Sequence, residues 1–118
     1  MKFKKIILKK GKNNFSLVVG ECSYLEKFLG LMVFRKKALL LFNLKKPHKL
    51  KIHSILCKPF LAVYTDGKNR ILEIIEVKKW KLSILPKEKY NRLIEIPLVE
   101  KYKTISKNLL EIPLNSRL

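Results

Sequence analysis

"PFLAVYTDGKNRILEIIEV", residues 59–77, decides how this chain folds. "FLAVYT" is a short apolar run rich in residues that suit a pleated, buried strand. "ILEIIEV" is a second such run. Between them, "DGKNR" opens on Asp66-Gly67, a dipeptide that favours a tight reversal. Two strand-like runs around such a segment predict an antiparallel hairpin.

The same pattern extends outward. "FSLVVGEC" (15–22) puts Phe15, Leu17 and Val19 on one face at period two, and "KFKKIILK" (2–9) is its expected partner across the turn "KGKNN". "KLKIHSIL" (49–56) alternates in the same way. "WKLSIL" (80–85), "RLIEIP" (92–97) and "NLLEIP" (108–113) complete a series of predicted short strands, and "ALLLF" (38–42) is a further apolar run. Helix is scarce. In "SYLEKFLG" (23–30), Ser23 and Glu26 have capping-box spacing, Leu25, Phe28 and Leu29 share a face, and Gly30 supplies a stop. A further helical turn can begin at Pro97, with Val99 and Tyr102 facing inward. The predicted fold is mainly β: one domain over 1–118, a β-sandwich or partly closed barrel with one or two short helices.

Three segments resemble the domain-of-unknown-function family 192. "ECSYLEKFLGLMVFRKKALLLF" is similar to its opening signature through Gly30, Leu31, Met32, Phe34 and Arg35, with Val33 inserted. "IHSILCKPFLAVYTDGKNRILEI" resembles its central hairpin, and "VKKWKLSILPKEKYNRLIEIP" the segment after it, through Trp80, Pro86, Glu95 and Pro97. The resemblance spans about residues 15–112 and implies a compact β-barrel without a known activity. Departures are clear. Leu61 stands where the family carries an aspartate, Lys79 where it has a proline, and Leu98 or Val99 where a glycine is expected. If the central hairpin holds a ligand in the family, these changes remove much of that site here.

The net charge is +18. Lys27 to Thr65 holds nine basic residues and no acidic one. Lysine supplies 23 of the 27 cations and arginine four, so the surface suits non-specific phosphate contact better than base reading. Solvated surface charge is the plainer reading of most of these lysines. No apolar run is long enough to span a membrane as a helix, and no secretory leader is evident, so the expected location is cytoplasmic.

The inventory for catalysis is thin, and the reading is against an enzyme. Asp66 is the sole aspartate and belongs to a turn. Glu73, Glu76, Glu95 and Glu111 alternate with apolar residues and read as solvated strand faces. His53 and Cys57 on one strand face stand about 13 Å apart, too far for one metal ion. No glycine-rich phosphate loop exists. The expectation is therefore no catalytic residue, no metal and no cofactor. The leading reading is a non-enzymatic binding or interaction module, monomeric by default, with a groove beside Arg35, His53 and Trp80 and with Phe34, Lys36 and Lys37 nearby. The alternative is a sequence-nonspecific nucleic-acid-associated protein using residues 27–65. A third reading is attachment to an anionic membrane surface through the lysine-rich N-terminal segment.

Overall fold

The computed structural model describes residues 2–22, 39–48, 59–77 and 86–111. Six strands form one curled sheet: β1 (Lys2–Lys10), β2 (Asn13–Cys22), β3 (Leu40–His48), β4 (Phe60–Thr65), β5 (Ile71–Val77) and β6 (Tyr90–Pro97). A 3-10 turn (Glu100–Tyr102) leads into helix α1 (Lys103–Glu111). The strand order is β1-β2-β3-β6-β4-β5, antiparallel throughout except for the β2–β3 pair. The expected mainly-β, partly closed barrel is what the chain forms. Its two edges approach at one end, where the Lys9 N–H donates to the Asn69 carbonyl at 2.9 Å. The result is a half-barrel with a pinned corner.

Local chemistry explains the hairpins. β1 and β2 join through a two-residue loop at Gly11 and Lys12, and Gly11 takes a φ of 62°. That left-handed position is open to glycine without strain. The β4–β5 hairpin falls where the sequence predicts it, but its left-handed residue is Asn69 (φ 63°), two positions beyond Gly67. Asp66 organises the loop. Its Oδ1 accepts from the Lys68 and Arg70 backbone N–H groups at 2.8 and 3.0 Å, and its Oδ2 accepts from Arg70 Nε at 2.7 Å. Burial alone raises the Asp66 pKa, but the two N–H groups and the Arg70 guanidinium outweigh it and hold the carboxyl below its usual range. Its contribution to stability is thus present above the unfolded value of 3.8 and is lost as pH falls through the lower folded value. Asp66→Asn is expected to cost about 1 kcal/mol at neutral pH. It should also flatten the acid limb of stability against pH. An unchanged acid limb in urea unfolding would overturn this role.

β4 is buried at every position from Phe60 to Thr65, because β5 and β6 flank it and both sheet faces are covered. Its residues divide by parity. Leu61 and Val63 join Ile6, Leu8, Leu17, Val19, Leu41, Ile94 and Ile96 in the barrel interior. Phe60, Ala62 and Tyr64 join Leu40, Phe42, Tyr90 and Leu93 on the other face.

Three expectations need correction. "NLLEIP" was expected as a strand, yet its residues through Glu111 end helix α1. The period is helical when read from further back: Tyr102, Ile105 and Leu109 recur at three and four and pack against the barrel interior. Glu95 was expected on a solvated face but is 1% exposed, since it lies on β6 between β3 and β4. The default of solvated lysine fails at Lys10, which is 4% exposed. Lys10 follows Ile6 and Leu8 on the inward face of β1, and its Nζ donates to the Leu109 carbonyl near the end of α1. Burial pushes its ammonium pKa below the usual lysine range. The predicted strands at 49–56 and 80–85 and the predicted helix at 23–30 lie outside the described residues.

Candidate functional site

All six residues proposed from the sequence as a site, Phe34, Arg35, Lys36, Lys37, His53 and Trp80, lie outside the described residues. Most of the basic stretch 27–65 does too. The described residues present a different surface.

That surface is the outer face of the β1–β2 ribbon. Successive strand residues point to opposite faces, so Phe3, Lys5, Ile7 and Lys9 stand together while Ile6, Leu8 and Lys10 enter the barrel. Across the register, Lys5 faces Val18, Ile7 faces Ser16 and Lys9 faces Asn14. Phe3 is 65% exposed, Val18 61% and Ile7 47%. Large apolar groups at such exposure, gathered on one ribbon, are the kind of patch that marks an interaction surface. Residues 2–20 contain six lysines and no acidic residue. One lysine, Lys10, is spent inside the barrel, and Lys4 on the other face pairs with Glu21 at 3.2 Å. Lys5 and Lys9 are exposed, as is Lys12 in the turn.

A groove of about 640 Å³ adjoins this face. Phe3, Val18, Leu39, Tyr102 and Ile105 line it. Lys101 is its charged member, and its Nζ lies 5.4 Å from the centre of the Tyr102 ring. Among the described residues its other lining members are Ser16 and Leu17.

Farther along the same outer face of the sheet, on β4 and β6, Tyr64 and Tyr90 pack edge-to-face with centroids 4.6 Å apart. Glu73 faces Tyr64 across the strands and accepts from the Lys87 N–H at 2.8 Å. Burial raises the Tyr64 pKa, and Tyr90, Glu73 and Glu95 add to the shift, so the phenol stays neutral. Tyr64 is fully buried, and its hydroxyl finds no hydrogen-bond partner among the described residues. Tyr64→Phe is therefore expected to leave stability unchanged or raise it by up to about 1 kcal/mol. A loss above about 1 kcal/mol on thermal unfolding would show that the hydroxyl is bonded.

Both described arginines are structural. Arg70 holds Asp66, and Arg92 donates to Asn69 Oδ1 at 2.5 Å and to Asn43 Oδ1 at 3.4 Å. The Arg70 side chain is nevertheless 63% exposed, so the described surface cations are lysines together with this one ion-paired arginine.

The sequence reading takes "KFKKIILK" (2–9) only as the partner strand of "FSLVVGEC" and assigns no role to its faces. The missed signal is that Phe3 and Ile7 are apolar at positions opposite in parity to Ile6 and Leu8.

No protein-family model matches the chain, and no curated protein matches it. Solved structures do resemble it. A protein of unknown function from Novosphingobium aromaticivorans superposes with a TM-score of 0.70 at 9% identity, covering 88% of this chain and 79% of its own. A protein from Sinorhizobium meliloti, named as a candidate transcription regulator, superposes with a TM-score of 0.69 at 12% identity, covering 90% and 89%. At such identities the likeness establishes architecture, and the chain shares the fold of these two proteins.

Proposed function

We propose that this chain is a small non-enzymatic binding module whose working surface is the outer face of the β1–β2 ribbon, and that its partner is polyanionic. One observation carries the reading. Phe3, Ile7 and Val18 are exposed together, with Lys5 and Lys9 interleaved and no acidic residue anywhere in residues 2–20. An acid-free lysine face raises the local concentration of anions and steers them, while the apolar groups supply contact area. Membership of family 192 is part of this proposal, supported by the three ordered sequence segments and by a curled β-architecture that suits them.

A nucleic-acid partner is the second reading. The specific observation in its favour is the similarity in fold to a protein named as a candidate transcription regulator. Under that reading lysines would contact phosphates without reading sequence.

The test is a titration with heparin, single-stranded RNA and duplex DNA across a salt series. The polyanion reading expects binding to at least heparin, with affinity falling steeply as salt rises. Lys5→Glu/Lys9→Glu should weaken it by at least about tenfold. Absence of any binding at about 50 mM salt would reject the reading.

A further inference from the structure

We infer that the polyanion is the surface of an anionic lipid bilayer, and that the β1–β2 ribbon lays Phe3, Ile7 and Val18 into its headgroup region. The inference rests on the polyanion reading above and names the partner for the same face.

The composition of the face separates lipid from nucleic acid. Bases are gripped by stacking on aromatic or guanidinium planes. Of the three exposed apolar side chains, only Phe3 has such a plane; Ile7 and Val18 are aliphatic. The described arginines are engaged elsewhere, Arg70 with Asp66 and Arg92 with Asn69. Aliphatic groups set against phosphates and sugars would gain little. At a lipid interface they gain as much per area as an aromatic group does, because the acyl boundary accepts any apolar surface. Lysines suit the same setting. Headgroup attraction needs charge near the surface and no bidentate geometry. Lys5 and Lys9 are interleaved with the apolar groups on the ribbon, so insertion of one set brings the other to the headgroups.

The neighbouring groove extends the contact. Tyr102 lines it beside Phe3, with Lys101 next to its ring. A tyrosine with an apolar body and a polar tip favours the headgroup level. Lys101 there adds a cation on the same side. The mode is interfacial: no helix among the described residues is long and apolar enough to cross a membrane.

The experiment is co-sedimentation of the full chain with vesicles, alongside the heparin and RNA titrations. One set is phosphatidylcholine alone; the other carries phosphatidylserine at a ratio of about 7:3. Binding is expected to the anionic vesicles only. Lys5→Glu/Lys9→Glu should weaken it by at least about twentyfold, about fivefold for each lysine lost and more for the reversed charge. Phe3→Ser/Val18→Ser should weaken it by about tenfold while heparin binding changes less than twofold, which separates insertion from simple attraction. Both variants alter exposed side chains, and circular dichroism with a thermal melt confirms that they fold. Heparin or RNA binding without vesicle binding would overturn the lipid assignment and leave the polyanion reading standing. Failure to bind any of the three would remove both. Vesicle binding indifferent to Phe3→Ser/Val18→Ser would overturn the insertion of the ribbon.

Discussion

Replacing Ile94 with alanine is expected to lower the unfolding free energy by about 2–5 kcal/mol. Ile94 is fully buried on β6, the strand that joins β3 to β4. Its register partners are Leu41 on one side and Val63 on the other, and both are fully buried too. Removing the side chain leaves a cavity at the middle of the barrel interior that strands fixed by hydrogen bonds on both edges cannot close. The loss therefore includes the transfer term and most of the cavity term. Urea unfolding should show a lower midpoint with an unchanged slope. A loss below about 1 kcal/mol would mean that this layer is not the packed centre of the fold. By contrast, Phe3→Ala on the exposed ribbon should fall within about 0.5 kcal/mol of the parent.

The second large effect is expected at Lys10. Lys10→Ala should cost about 2–3 kcal/mol, because it removes the buried aliphatic stem and strips the Leu109 carbonyl of its donor inside the barrel. Lys10→Met keeps most of the stem and should recover part of the loss. The pair of variants separates packing from the hydrogen bond. The direction of the pH effect follows from burial. The folded pKa lies below the ordinary 10.5, so the unfolded chain holds the proton more tightly. Between the two values the unfolded state binds more protons, and stability rises with pH across that window. Lys10→Met should abolish this alkaline rise. Because the raised Tyr64 pKa gives both proteins a common fall at alkaline pH, the test is the difference between them: parent and Lys10→Met curves of the same shape toward pH 10.5 would show that Lys10 is not held by burial.

These two residues also mark the limit of reading the sequence. Ile94 sits in "RLIEIP", which is a strand by any local rule. Its neighbour Glu95 looks solvated by the same rule, because alternation assumes that one face of the sheet meets water. β6 lies inside the sheet order and has both faces covered, so the glutamate is buried with its strand. Lys10 follows the same logic. In sequence it is one of six lysines in a basic segment, and only its phase with Ile6 and Leu8 separates it from Lys9. The strand alternates, Lys9 turns outward, and Lys10 meets the end of a helix 99 positions away. The helix itself was misread for a related reason. Six residues of "NLLEIP" suit a strand as well as a helix, and only the contacts of Tyr102, Ile105 and Leu109 with the barrel settle its period.

By itself the sequence determined the strands of the described region and their hairpins. Those depend on side-chain period and on turn residues such as Gly11, Asp66 and Asn69, which act over a few positions. It also determined the excess of lysine over arginine, and so the kind of anion contact available. Side-chain parity places Phe3 and Ile7 on one face of β1; the tertiary structure alone decided the strand order, the burial of Glu95 and Lys10, and that this ribbon face stays exposed. Those outcomes depend on which strands become neighbours and how the sheet curls, and pairing over long separations leaves no mark in any local window.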